Sequence, residues 1–208
     1  CAMQNRRRAL LDKAEFLFAE HGFEGTSIRD LAKEAGMNLA MISYYFGSKE
    51  KLFEALVEDR SSSLLEKVKA PNESTSDPVQ RLAALVPSLV DRWLANPRFY
   101  RILYREASLN SRPELQRIIA DTLLRQVNEF RKILQDGVEQ GRFREVDIDL
   151  TMVTFYGTIT QLLSASPQMH QRMLGRRWGD DVSEMAHWRN RLVDHLLQVM
   201  QAHLLTRA

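Results

Sequence analysis

TSIRDLAKEAGMNLAMISYYFGSKEKLFE, residues 26–54, decides how the rest of the chain is read. Ser27-Ile28-Arg29-Asp30 is a capping-box opening, a hydroxyl followed three residues later by a carboxylate, around the apolar positions Ile28, Leu31, Ala32 and Ala35. Gly36 stands where the chain must leave that helix, the usual place for a left-handed residue. Asn38 is suited to cap a second helix whose inward face is Ile42 and Phe46, with Met41 or Tyr45 to one side. Two helices of about eight to ten residues joined by a turn of about three or four form the helix-turn-helix pattern. Such a unit commonly lays its second helix in the major groove of DNA. Spacing alone leaves a second reading open, a plain helical hairpin in an all-α protein.

Upstream, residues 4–22 read as a helix, with Leu10, Leu11, Ala14, Leu17 and Phe18 recurring at helical intervals. Gly22 ends it and Gly25 allows a sharp bend. Arg6, Arg7 and Arg8 precede the apolar pattern, either as a solvated basic start or as an arm that meets phosphates. Residues 1–54 hold as many Asp and Glu as Lys and Arg. Any DNA affinity must therefore come from placement of Arg6, Arg7, Arg8, Arg29, Lys49 and Lys51 on one surface.

From Ser48 a long helix opens, its buried side marked by Leu52, Phe53, Leu56, Leu64, Leu65 and Val68. It starts in the head and continues about twenty residues, roughly 30 Å of rigid rod. PNESTSDP, residues 71–78, is a turn-rich break. Asp77-Pro78 and Asn96-Pro97 each set a capping side chain before a proline at the first helical position, and Ser111-Arg112-Pro113 is a looser version. These starts predict helices at about 78–95, 97–109 and 113–140, the last closing at Gly141. After a short connection at 143–149, Asp147 or Asp149 caps an uncharged helix that runs to about residue 165, before Pro167. GRRWGDD, 175–181, reads as a charged loop, and the last helix spans about Ser183–Leu205. No strand pattern competes, so the fold class is all-α, with about nine helices.

Hydrophobic residues make up 44% of the 208 and charged residues 27%, the balance of a chain that folds rather than one that stays disordered. A formal charge of +2 does not by itself call for a nucleic-acid partner. The single cysteine, Cys1, excludes an internal disulfide and a cysteine-based zinc cluster. Leu150–Gln171 has no Asp, Glu, Lys or Arg, but its threonines, serines and glutamines are too polar for a membrane span, and such a helix is expected to be buried on all sides. No basic-then-apolar segment opens the chain, so a cytoplasmic protein without a membrane partner is expected. His187, His195 and His203 recur every eight residues and drift about 80° per step on a helix, so they do not form one metal-binding face. No nucleophile–base pair, paired carboxylates or phosphate loop is recognisable, which argues against an enzyme and calls for no cofactor.

FAEHGFEGTSIRDLAKEAGMNLAMISYYFGSKEKLFEAL, residues 18–56, resembles the tetracycline-repressor-type (TetR/AcrR) transcriptional regulators. Gly22, Thr26, Ser27, Leu31, Ala32, Ala35, Gly36, Tyr44, Phe46, Lys49 and Leu52 fit that family's pattern of a Gly-x-x-x-Thr-[Ser/Thr] start, an Ile-Ala-x-x-Ala-Gly-like second helix and a Tyr-x-Phe-x-x-Lys exit. The match covers about a quarter of the chain. The resemblance implies a DNA-binding domain at 4–50, an effector-binding and dimerisation domain at 51–208, and a homodimer on a pseudo-palindromic double-stranded DNA operator. It matches Ser27 and Arg29 to positions at the DNA backbone or an outer base. Asn38, Leu39, Ala40 and Met41 match the first turn of the recognition helix, and Tyr44, Tyr45 and Lys49 match phosphate contacts. Many relatives carry an aromatic residue where this chain has Ser43, so that contact becomes shorter or passes to Tyr44. Leu39, Ala40 and Met41 offer no bidentate hydrogen bonding, which leaves Asn38, thymine methyl contacts and groove shape for base readout.

Trp93, Phe99, Tyr100, Leu103, Tyr104, Phe130, Met152 and Tyr156 are either a filled helical core or the lining of an apolar cavity with a few polar tips. The resemblance favours the second, a pocket for a small apolar or aromatic effector that releases a repressor from DNA. Arg101, Arg105 and Glu106 lie round the helix from those aromatics, either as a buried or interface ion pair or, by default, as solvated surface. The final helix and the uncharged helix hold more apolar surface than one copy needs, as expected of two helices that pair with their copies in a four-helix bundle. The competing reading is a helical ligand-binding or protein-interaction adaptor whose head no longer binds DNA.

Overall fold

The computed structural model describes residues 2–67, 77–109, 112–165, 167–175 and 182–205. The expectations for Cys1, for Leu64, Leu65 and Val68 as buried positions, for Ser111 and for the loops at 71–76 and 176–181 fall on residues or side chains outside those described. Every regular element among the described residues is a helix: α1 Ala2–His21, α2 Ile28–Ala35, α3 Leu39–Phe46, α4 Lys49–Lys67, α5 Pro78–Ala95, α6 Pro97–Ser108, α7 Pro113–Glu139, α8 Ile148–Ser164, α9 Pro167–Leu174 and α10 Val182–Leu204. The all-α expectation holds, with ten helices in place of about nine. The addition is α9. Pro167 reads as a stop after α8, but it is the first residue of the next helix, where its missing N–H has no partner to lose.

Two compact units divide the chain, Cys1–Lys67 with Arg98–Leu123 and Val68–Pro97 with Leu124–Ala208. In the first, α1 packs on α2 and α4, and α3 lies against α2 and α4. Leu10, Leu11, Ala14, Leu17 and Phe18 of α1 are buried, as are Leu31 and Ala32 of α2, Ile42 and Phe46 of α3, and Leu52, Phe53 and Leu56 of α4. At its centre Phe18, Phe23 and Phe53 meet with ring centroids 5.5–5.6 Å apart. Each such side chain contributes about 1.5–3 kcal/mol by leaving water.

Polar ties across long stretches of sequence close this unit. Arg60 of α4 donates to Asp12 and to Glu15 (2.7 Å) of α1 and to its neighbour Asp59 (2.6 Å). Burial alone would loosen the guanidinium's proton, but the bonds to Glu15 and Asp12 outweigh it and raise the pKa. Glu106 of α6 is 1% exposed and accepts the Phe23 N–H at 3.0 Å. The surface role expected of Glu106 is therefore corrected: it caps the turn after α1. Gly22 makes that approach possible. Its φ is +76°, and a Cβ there would lie 2.9 Å from Arg105 Nη2. Arg112, just ahead of α7, bonds Glu24 (2.7 Å) and Glu50 (2.5 Å), adding a second link from the α6–α7 junction to the head.

In the second unit α5 pairs with α10. Leu82, Leu85, Val86, Leu89, Val90 and Trp93 of α5 are buried, with Phe130, Ile133 and Leu134 of α7, Met152, Phe155 and Ile159 of α8, and Leu196, Met200 and Leu204 of α10. Arg81–Asp136, Arg142–Asp77 and Arg189–Asp91 tie helices to one another at the rim. The α8 expectation needs revision. One face is buried through Thr151, Met152, Phe155, Ile159 and Leu163, while Leu150 and Val153 on the other are 64% and 66% exposed. The helix lacks charge on a face that this chain does not itself cover.

Candidate nucleic-acid interface and effector region

Each helix of the helix-turn-helix is held by its own ends. Ser27 accepts the Asp30 N–H at 3.1 Å while the Asp30 carboxylate accepts the Ser27 N–H at 3.0 Å and its hydroxyl at 2.6 Å. The hydroxyl, then the amide, of Ser27 hold the Asp30 carboxyl below its ordinary pKa. Because the folded value is the lower one, this support is present above the unfolded carboxyl's range and is lost as pH falls through the folded value. Gly36 leaves α2 at φ +62°, and its N–H returns to the Ala32 and Lys33 carbonyls. Asn38 Oδ1 accepts the Met41 N–H at 2.8 Å, so the acceptor end of that amide caps α3 and only its NH2 is available to a base.

With Ile42 and Phe46 buried, α3 turns Leu39, Ala40, Ser43 and Tyr44 to solvent. Leu39 is 45% and Tyr44 77% exposed, large apolar surface left outside on an eight-residue helix. Met41 and Tyr45 are half-buried, and the Tyr45 ring stands edge-on to Tyr44 at 5.6 Å. Arg29 is exposed and has no ion-pair partner among the described residues. Arg6 lines a cleft with Asn5, Ala9, Ala35, Gly36, Met37 and Met41, beside the turn between the two helices. Arg7 lies over the Phe46 ring, its Cζ 5.2 Å from the centroid.

Lys49 stands apart from the rest of the set. Its ammonium donates to the Phe23 and Thr26 carbonyls at 2.8 and 3.0 Å and sits 4.3 Å from the Phe23 ring centroid. Those bonds fasten the first turn of α4 to the loop ahead of α2, a structural role that spacing did not reveal. Substitution of Lys49 therefore disturbs the head itself as well as any phosphate contact.

The eight aromatic-region residues divide between the two units. Phe99, Tyr100, Leu103 and Tyr104 belong to α6, where Phe99–Tyr100 and Tyr100–Tyr104 rings lie 5.5 and 6.3 Å apart. Burial, reinforced by Tyr100, pushes the Tyr104 phenol well above its ordinary pKa. Trp93, Phe130, Met152 and Tyr156 belong to the other unit, joined by Phe155, which the sequence reading passed over. Trp93 lies 6.0 Å from Phe155 and 5.9 Å from Tyr156, and Phe130 is 4.6 Å from Phe155. Trp93, Phe99, Tyr100, Leu103, Phe130 and Met152 are all buried. Among the described residues no group of three or more His, Cys, Asp or Glu could hold a metal ion, and no helix is long and apolar enough to cross a membrane.

Comparison with known proteins agrees with this geometry. Residues 10–56 match the model of bacterial regulatory proteins, tetR family, and residues 75–164 that of the tetracyclin repressor-like C-terminal domain. The chain is 33% identical over 150 residues to the HTH-type transcriptional repressor NicS of Pseudomonas putida, covering 70% of this chain and 68% of that one. It is 32% identical over 136 residues to the probable HTH-type transcriptional regulator YttP of Bacillus subtilis, covering 64% and 65%. The chain thus spans just under two thirds of the length of the curated relatives it matches first. The crystal structure of AibR, in complex with isovaleryl coenzyme A and operator DNA, shares the fold with a TM-score of 0.69 at 21% identity, over 93% of this chain and 97% of that one. Two family models in chain order, and a relative matched over most of its length, lead to one conclusion: the chain belongs to the tetR family of bacterial regulatory proteins.

Proposed function

We propose that this chain is a cytoplasmic transcriptional repressor that binds a pseudo-palindromic operator as a homodimer and is released by a small effector with an apolar or aromatic body. The observation that carries the reading is the outer face of α3. A helix capped at both ends holds Leu39, Ala40, Ser43 and Tyr44 outside the core, and no packing need explains that exposure. Leu39 and Ala40 supply methyl contacts to thymine, and the Asn38 NH2 is the one side-chain donor on the first turn. Ser27, Arg29, Met41, Ser43, Tyr44 and Tyr45 orient the head on the backbone and groove walls, while Lys49 holds the head in shape from within. The domain division follows, with residues 4–50 reading DNA and 51–208 serving the effector and the second copy. AibR, captured with both operator DNA and an acyl-coenzyme A, supports the pairing of those two functions on this fold.

The second copy belongs on α8 and α10. Leu150 and Val153 of α8 are exposed, and an open cleft of about 530 Å³ among α8, α9 and α10 is lined by Leu162, Leu174, Trp188 and Leu192, with Arg191, Asp194 and other polar groups at its edge. Closing it against its two-fold mate buries an apolar face that one chain leaves wet. Effector and operator then weaken each other reciprocally through a coupling of about 1–3 kcal/mol.

The test is selection of bound fragments from genomic DNA by the purified protein. One shared palindromic sequence should emerge, with two half-sites about 34 Å apart. On that operator, Tyr44→Ala should lower affinity about tenfold, about 1.4 kcal/mol, with an unchanged melting temperature, since its ring is 77% exposed. Recovery of no enriched sequence would leave the chain as a ligand-binding adaptor.

A further inference from the structure

Arg92 of α5 is buried without the partners that a buried cation normally has. The residue is 5% exposed, yet its Nη2 is 3.5 Å from the Ser88 hydroxyl and 3.9 Å from a Glu129 carboxylate oxygen. Its Nε has no acceptor among the described residues. Arg60, the other buried guanidinium among the described residues, holds three carboxylates, all within 2.7 Å. The next residue, Trp93, is 1% exposed and keeps its indole N–H without an acceptor as well. Both residues stand beside α7 and α8: Arg92 reaches toward Glu129, whose neighbour Phe130 closes on Phe155, and Trp93 packs on Phe155 and Tyr156.

One turn of α5 therefore brings two buried donors, with no strong acceptor, to the edge of an aromatic cluster. Leaving a buried donor unmatched is costly, and more so for a charged one. A core under selection for stability alone would place an apolar residue at position 92 or bring Glu129 close. An oxyanion satisfies the guanidinium, and the cluster of Phe130, Phe155 and Tyr156 that Trp93 joins suits an apolar body. A planar carboxylate matches the guanidinium fork through two parallel bonds.

We infer that Arg92 anchors the carboxylate of an amphipathic acidic effector. This rests on the effector reading above and narrows it from an apolar molecule to an apolar acid. Arg92→Met in the full chain tests it with two measurements. In thermal denaturation without any ligand, the variant should melt at or above the wild-type temperature, because an under-satisfied buried charge has been replaced by an apolar side chain of similar length. A clear fall would make Arg92 a structural partner of Glu129 and overturn the inference. In thermal-shift titrations with 4-phenylbutyrate and decanoate against the matching alcohols, the wild type should favour each acid by about tenfold or more, and the variant should lose that preference. Equal response of the wild type to acid and alcohol, including none to either, overturns it, as does an undiminished preference in the variant. Operator affinity of the unliganded variant should equal wild type. If the wild type itself binds no operator, the regulator reading fails while the acid preference stands on its own.

Discussion

Replacing Arg60 with methionine is expected to destabilise the head by about 2–3 kcal/mol. Arg60 bonds three carboxylates, and its side chain is 10% exposed. Glu15 is 12% exposed, so without the guanidinium its charge is left in a poor solvent beside Asp12 and Asp59. Asp12 is 59% exposed and can turn to water, which holds the effect below that of a fully buried pair. Reversible urea denaturation should show the loss, and adding Glu15→Gln to the same chain should recover part of it by removing the stranded charge. A change within about 0.5 kcal/mol would reduce the cluster to a surface ion pair. The consequence reaches function because Arg60 joins α4 to α1, and both helices brace α2 and α3.

Gly137→Ala is expected to be at least as damaging, about 3 kcal/mol or more, although it adds one methyl group. A Cβ at that position would lie 1.9 Å from Phe143 Cδ2 and 2.3 Å from Cε2. The ring cannot slide away cheaply, since Phe143 is 4% exposed and its own N–H is bonded to the Gly137 carbonyl at 2.9 Å. It also lines a small cavity together with Val79 and Leu82 of α5 and Leu204 of α10, so its eviction disturbs the ends of three helices. Calorimetry on Gly137→Ala, Phe143→Ala and the double variant checks the mechanism. The double variant should be much less damaged than the sum of the singles, because truncating the ring removes what the methyl strikes. Strict additivity would place the strain elsewhere.

The parts of this molecule that were legible in the sequence are those whose causes are local. Ser27 and Asp30 are three residues apart, Gly36 ends what they begin, and Asn38 caps the helix it precedes; each acts within one turn. The prolines at 78, 97 and 113 mark helix starts for the same reason. The ties that make a unit of those helices are not local. Arg60 meets Glu15 across 45 residues and Glu106 meets Phe23 across 83, distances over which no periodicity carries a signal. Glu106 read as surface because a carboxylate usually is, and its neighbour Arg105 does stay near the surface. Lys49 matched a DNA-contacting position by pattern, yet pattern says nothing of the two carbonyls beneath its ammonium. Beyond the head the aromatic residues were legible by type, but Phe155 at the centre of one cluster was missed, and Arg92 stood in an apolar run with nothing to mark it as buried.

The Glu106–Phe23 bond has a consequence during synthesis. At about 5–20 residues per second, the 83 residues between the partners take the ribosome about 4–17 s. For that interval the helix-turn-helix must stand on the contacts of residues 1–67 alone, above all the Phe18–Phe23–Phe53 cluster and the Arg60 bonds. The nascent head thus passes through a stage in which its first turn is uncapped, and it matures only when α6 emerges. A chain that stalls between those two points exposes a half-finished helix-turn-helix.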